Sequence, residues 1–195
     1  MKNEFRKEYK IIATPYEYNN FYSKYNKKIK EIYESRKITS LYFDTIDQSL
    51  LSSSKFQDVN VIKVRIRTYS NSEKFYKEIK KNTFSGKYKE VEKLKIESFD
   101  QIDKIYLNQL TLYPILFTEY ERRYFTFENC RITIDYNITF TSHSYRSPVI
   151  IHKQYENKII EYKPFEKNFD IEKYIYTNPV AFSKYKVGAN RLYGL

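Results

Sequence analysis

The sequence predicts an α+β protein built as an antiparallel β-barrel, a tunnel of about eight strands with a few flanking helices. Three observations carry this expectation. Most of the chain alternates apolar and polar residues with period two. The connections between neighbouring alternating segments are short, as at Ser70–Glu73 and Asn82–Gly86, which favours antiparallel hairpins. Only three glycines and five prolines punctuate 195 residues, and no linker, repeat or low-complexity tract divides them. Residues 1–195 are therefore expected to form one domain.

In chain order, strands are expected at Phe5–Ile12, Ile38–Phe43, Val61–Tyr69, Lys74–Lys81, Lys87–Lys95, Ile115–Phe127, Arg131–Phe140, Val149–Lys153 and Lys158–Lys163. Thr14-Pro15-Tyr16-Glu17 reads as a helix start: Thr as cap, Pro in the first turn and Glu closing a capping box. That helix is expected to run to about Tyr33, with shorter ones at Asp47–Ser53, Asp100–Gln109 and Pro179–Tyr185.

Composition narrows the function classes. The single cysteine, Cys130, excludes an intrachain disulfide and reads as a small core residue. With only His143 and His152 beside it, a Cys-rich zinc site is excluded, and both histidines read as solvated loop residues. The first ten residues carry charge with no apolar stretch behind them, unlike a signal peptide. The longest uncharged run, Ile105 to Thr118, is too short and polar to span a bilayer, so a soluble cytoplasmic protein is expected. A net charge of +11 points to an anionic partner, although abundant Lys, Asn, Ile and Tyr also characterise proteins of AT-rich genomes. The placement of the charges has to decide.

In Val61–Tyr69, Lys63, Arg65 and Arg67 share one strand face while Ile62, Val64 and Ile66 share the other. The same pattern recurs with Glu4, Arg6, Glu8 and Lys10, with Glu78 and Lys80, with Lys87 and Lys89, with Arg131 and Asp135, and with Glu161 and Lys163. One such strand is an ordinary half-buried strand. Six make an Arg-rich face whose cations exceed its carboxylates, and if that face is a barrel interior, unpaired buried charge demands a polyanion or water. Linear phosphate chains fit, because Arg forks grip phosphate oxygens bidentately and Lys acts as a point charge. Carboxylates among such cations would repel phosphate unless a divalent cation intervened, so Glu161 and Glu8 point to Mg²⁺ or Mn²⁺. The chain contains neither a G-x-x-x-x-G-K-[ST] nor a G-x-G-x-x-G loop. Lys27, Lys28 and Lys30 read as a solvated helix face.

Taken in order, Arg6-Lys7-Glu8-Tyr9-Lys10, Ser40-Leu41-Tyr42-Phe43-Asp44-Thr45, Arg65-Ile66-Arg67-Thr68-Tyr69 and Glu78-Ile79-Lys80 lead to a second group: Tyr120-Glu121-Arg122-Arg123, Arg131-Ile132-Thr133-Ile134-Asp135, Glu161-Tyr162-Lys163 and Phe182-Ser183-Lys184-Tyr185. Together they resemble the VTC domain, the polyphosphate polymerase branch of the CYTH-like triphosphate tunnel metalloenzymes. The resemblance implies a tunnel that takes the γ-phosphate of ATP and extends inorganic polyphosphate with a divalent metal. It makes Lys10, Arg65, Arg67, Lys80, Lys89, Arg122, Arg131 and Lys184 phosphate ligands and Glu161 the metal ligand, with Lys87 an alternative to Lys89. Lys63 and Lys163 join the phosphate-binding set and Glu8 the metal set by sharing the charged faces. Ala181 stands where fungal members carry a second lysine.

Three functions are weighed. The leading one is an ATP-dependent polyphosphate polymerase, with catalysis by positioning and charge neutralisation. Coupling to translocation would then need a membrane partner protein. The second is a tunnel triphosphatase acting on inorganic or nucleoside triphosphate. Related branches usually open with E-x-E-x-K, and Arg6 at the place of one carboxylate disfavours it. The third is a non-catalytic polyphosphate-binding module. Nucleic acid is not expected, because it calls for basic residues and aromatics on an outer face.

Overall fold

The computed structural model describes residues 8–56, 61–70, 72–84, 86–145, 147–166 and 178–194. In chain order the elements are β1 (Tyr9–Ala13), α1 (Pro15–Tyr25), β2 (Lys30–Asp44), α2 (Ser49–Phe56), β3 (Val61–Tyr69), β4 (Ser72–Thr83), β5 (Gly86–Leu94), β6 (Ile105–Leu107), β7 (Leu110–Phe127), β8 (Cys130–Ser142), β9 (His152–Tyr155), β10 (Lys158–Pro164) and α3 (Lys184–Tyr193). The strands form one antiparallel sheet ordered β1-β10-β8-β7-β2-β3-β4-β5, with β6 pairing β7 and β9 pairing β8.

The sheet curls without closing. Among the described residues no ladder joins β1 to β5. Yet Lys80 on β4 lies within electrostatic reach of Glu8, Glu161 and Lys163, and Lys63 on β3 within reach of Lys10. Side chains from the two ends of the strand order thus face one another across a shared interior, the open form of the expected tunnel.

Alternation decides what each face does. The outer face of β2–β4 buries Leu41, Phe43, Val64, Ile66 and Ile79 against Leu50 of α2 and the β6 hairpin. The outer face of β1, β10, β8 and β7 buries Ile11, Ile132, Ile134, Ile160 and Tyr162 against Tyr25 of α1. α1 starts as its sequence dictates: Thr14 Oγ1 accepts from Glu17 N at 3.2 Å and Glu17 Oε2 accepts from Thr14 N at 2.8 Å. One end of the interior is plugged by α3, whose Tyr185, Ala189 and Leu192 pack on Ile38, Leu116, Ile138 and Phe140. Gly188 makes that approach possible, since a Cβ there would stand 2.7 Å from Phe140 Cδ1. Asp44 ties the plug to α2: it accepts from Leu50 N at 3.0 Å, Leu51 N at 2.9 Å and Tyr185 Oη at 2.6 Å.

Several expected elements differ. The first helix stops at Tyr25, not near Tyr33, because residues from Lys30 onward pair with Thr126–Tyr124 of the long β7. Pairing at long range overrides helical propensity there. Lys27 and Lys28 consequently lie in a turn and Lys30 in a strand. The helix expected at Asp100–Gln109 is a single 3-10 turn at Phe99–Gln101 followed by the β6–β7 hairpin. Asn108, at φ 53, takes the left-handed turn conformation that asparagine tolerates. The last helix begins at Lys184 rather than Pro179, since Val180 N donates to Lys10 O at 2.8 Å and holds that segment along β1. The strand expected at Val149–Lys153 begins at His152. The helix expected at Asp47–Ser53 forms as α2, and Val61–Tyr69 is a strand at its expected bounds. The first residues of the strand expected at Phe5–Ile12 lie outside the described residues.

Candidate functional site

Cross-strand register sets the inner face of β2–β5 in rungs. Lys63, Lys80 and Lys89 stand side by side on β3, β4 and β5. The next rung holds Tyr42, Arg65 and Glu78, and the one after it Ser40, Arg67 and Tyr76. Glu78 is the organising acid. It accepts from Arg65 Nε at 2.8 Å and Arg65 Nη2 at 2.5 Å, from Lys89 Nζ at 2.8 Å, and faces Arg67 Nη1 at 3.7 Å. Hydroxyls complete the positioning: Arg65 Nη1 donates to Tyr42 Oη at 3.0 Å, while Arg67 donates to Ser40 Oγ at 3.0 Å and Tyr120 Oη at 3.1 Å.

The facing wall is built around Asp135 and Glu161. Asp135 accepts both Arg122 Nε at 2.5 Å and Nη2 at 2.8 Å, and also pairs with Lys184 from the start of α3. Lys184 and Arg122 both lie over the Tyr120 ring, at 4.3 and 5.4 Å from its centroid. Buried Glu161 meets Lys163 at 3.2 Å and Arg122 at 3.9 Å. Lys163 Nζ also reaches Glu8 at 3.1 Å, so one ammonium sits between two carboxylates. Lys10 stands opposite Glu161 and donates to Phe182 O at 3.0 Å.

The charge balance is uneven. Burial disfavours ionisation of Glu78, Asp135 and Glu161, but the cations around each outweigh it and hold all three carboxyls below the ordinary range. Burial lowers Lys80 to about 7 and Lys63 to about 8, with Arg65 adding to both shifts. Burial also lowers Lys10, against the attraction of Glu161. Lys63 and Lys80 make no hydrogen bond or ion pair among the described residues. Nor do the buried hydroxyls of Thr118 and Thr133 find a partner there, although both lie on the inner-face rungs. Cations and unpaired hydroxyls are thus aimed into one interior, an arrangement that can hold a chain of phosphates.

Of the residues singled out from the sequence, Lys10, Lys63, Arg65, Arg67, Lys80, Lys89, Arg122, Lys163, Lys184, Glu161 and Glu8 share this interior. Lys89 rather than Lys87 reaches Glu78. Arg131 faces the same way opposite Lys163, but is exposed at the end away from α3. Arg6 lies outside the described residues. His143 and His152 stand apart, against Phe117 and Thr141 respectively. Cys130 is fully buried, which pushes its thiol up to about 11. Sequence reading missed Ser40, Tyr42 and Tyr120 as positioning hydroxyls and Glu78 and Asp135 as anchors. The alternation of Ser40-Leu41-Tyr42 facing Arg65 and Arg67 is the signal that could have found the first two.

For a divalent cation the donor set is small. Among the described residues no cluster of three or more His, Cys, Asp or Glu side chains converges. Glu8 and Glu161, however, already share one cation in Lys163 Nζ, and Mg²⁺ characteristically takes one or two carboxylates, with substrate phosphates and water supplying the rest. The residues present fit that mode of binding.

An antiparallel sheet curled around a cationic interior defines a tunnel fold, and solved structures share it. A provisionally named adenylate cyclase from Bacillus halodurans superposes with a TM-score of 0.63 at 14% identity, over 97% of this chain and 98% of that one. The PH1819 protein of Pyrococcus horikoshii gives 0.57 at 11% identity, over 95% and 99%. HpAC1 from Hippeastrum, described as having a dominant triphosphatase activity, gives 0.53 at 14% identity, over 95% and 96%. At these identities the likeness is one of fold. No curated protein sequence matches the chain. The family model of the VTC domain matches residues 73–193, and the chain belongs to that family. Among the described residues no helix is long and apolar enough to cross a membrane.

Proposed function

We propose that the tunnel binds the triphosphate of ATP and transfers its γ-phosphoryl group to a growing inorganic polyphosphate chain. The observation that carries this reading is the rung Lys63–Lys80–Lys89. Three lysines side by side on one face repel one another, and among the described residues a single carboxylate, Glu78, touches only the last. A linear polyanion neutralises that row. Arg65 and Arg67, fixed by Glu78, Tyr42, Ser40 and Tyr120, hold phosphate oxygens without reorganising, which is the preorganisation that phosphoryl transfer requires. Arg122 and Lys184 do the same from the facing wall. Glu161, with Glu8, would hold Mn²⁺ or Mg²⁺, which neutralises charge on the transferring group. Lys10, Lys163 and, at the open end, Arg131 complete the phosphate-binding set.

A second reading, hydrolysis of triphosphate, draws support from the shared fold of HpAC1. Incubation of the pure protein with ATP and Mn²⁺ separates the two. Polyphosphate formation supports the polymerase, free phosphate alone supports the triphosphatase, and neither product leaves a binding module.

A further inference from the structure

Arg36 belongs to the inner face but to none of the clusters above. It stands directly opposite Arg122 on the β2–β7 ladder, and Tyr33 stands opposite Tyr124 one rung further out. Like charges directly opposite each other destabilise a sheet unless something else holds one of them. Arg122 has Asp135. Arg36 makes no ion pair or hydrogen bond among the described residues, and its Nε is buried without an acceptor. Its partners are two rings: the guanidinium carbon lies 5.5 Å from the centroid of Tyr33 and 5.7 Å from that of Tyr124. The rings themselves meet edge to face at 5.8 Å and 85°. The three centres are nearly equidistant, so both rings flank the guanidinium from one side and leave its N–H edge available to an anion.

The location says which part of a ligand it would meet. Ser40, which accepts from Arg67, lies four residues further along β2, roughly 13 Å at the rise of a strand. Arg36 precedes the buried half of β2 and sits in its exposed half, two residues before Ile38, where the α3 cluster begins. Beyond it the outermost rung carries Lys30, Arg131 and Lys163 on the same face. A phosphate chain gripped by Arg65 and Arg67 and running outward passes Arg36 next.

We infer that Arg36, packed beside the Tyr33–Tyr124 pair, forms an outer anion subsite that engages linear phosphate chains longer than triphosphate. The inference rests on the phosphate-chain reading of the tunnel. With Arg122 opposite it and no carboxylate of its own among the described residues, the N–H edge of Arg36 is a fitting place for an anion.

The test measures binding of tripolyphosphate, ATP and size-fractionated long-chain inorganic polyphosphate at matched ionic strength. Wild type, Arg36→Gln, Arg36→Lys and Lys37→Gln are compared, Lys37 lying on the opposite face in contact with Glu119. Arg36→Gln is expected to lower the ratio of long-chain to tripolyphosphate affinity roughly tenfold, the loss of a charge-assisted contact. Arg36→Lys, keeping charge without the planar fork, should recover part of it, and Lys37→Gln should leave the ratio at the wild-type value. An unchanged ratio in Arg36→Gln overturns the subsite, as does an equal loss in Lys37→Gln, which marks diffuse attraction. Weakening of ATP alone overturns it in favour of a nucleoside site. If wild type fails to bind tripolyphosphate at all, the tunnel reading itself falls and the subsite falls with it.

Discussion

On the outer face of the β4–β5 hairpin Lys77 pairs with Glu92, and Lys81 pairs with Glu90 at 2.9 Å. On the inner face of the same hairpin Lys80 stands between Lys63 and Lys89, and among the described residues only Lys89 touches a carboxylate. The two faces draw on the same residue types a position apart. Outside, each lysine is matched to a solvated glutamate, pairs worth about 0–1 kcal/mol. Inside, the lysines face half-buried space, and among the described residues two of them form no direct ion pair. A basic composition says little by itself; a local mismatch of charge in a concave, partly desolvated place marks a ligand site.

The comparison can be broken most decisively at Glu161. Glu161→Gln keeps shape and hydrogen-bonding capacity but removes the charge proposed to hold the metal. ATP turnover with Mn²⁺ should fall at least about a hundredfold, since metal neutralisation of the transferring group is worth several kcal/mol. Metal-free triphosphate binding should survive or tighten. Near-normal turnover in the folded variant would sink the metal assignment, and joint loss of stability and binding would mark Glu161 as a structural partner of Lys163 and Arg122.

Next come the two faces directly. Arg65→Ala or Arg67→Ala should each weaken triphosphate binding by about 1.5–3 kcal/mol. Lys77→Ala and Lys81→Ala, on the outer face, should change it by only a few tenths of a kcal/mol. Calorimetry giving equal losses for all four would replace the site with diffuse surface attraction.

A smaller effect sharpens the comparison through pH. Lys80 is lowered to about 7 in the folded protein from an ordinary 10.5, so between those values the unfolded chain binds the extra proton. Stability should therefore rise with pH across that window, the penalty of an ammonium among cations being greatest below it. Lys80→Met removes the penalty, so its melting temperature should exceed wild type most near pH 7 and converge on it toward about pH 10. Triphosphate affinity should fall over the same range as Lys80 loses its charge. A constant offset between the two melting curves would contradict the burial of an unpaired lysine.

The inner face was legible because strand alternation is a local property: Lys63, Arg65 and Arg67 cannot point otherwise once Ile62, Val64 and Ile66 turn toward α2 and β6. The Thr14 cap was legible for the same reason. What joins the cations was not. Glu78 reaches Arg65 across a hairpin, and Asp135 reaches Lys184 over 49 residues, so their anchoring follows from register rather than motif. The start of β2, from Lys30 to about Tyr33, read as helix because only its pairing with β7 makes it a strand. Arg36 went unnoticed with it, since a residue assigned to no strand has no face.

The central claim, that the interior is built for a phosphate chain, is tested most directly by melting the protein with tripolyphosphate and with orthophosphate at equal ionic strength. A ligand that binds only the native state adds roughly 2.7 kcal/mol at a hundredfold excess over Kd. Tripolyphosphate should raise the melting temperature well above the value reached with orthophosphate, because only the longer anion spans Arg65, Arg67 and the lysine rung together. Coincident melting curves would contradict the account.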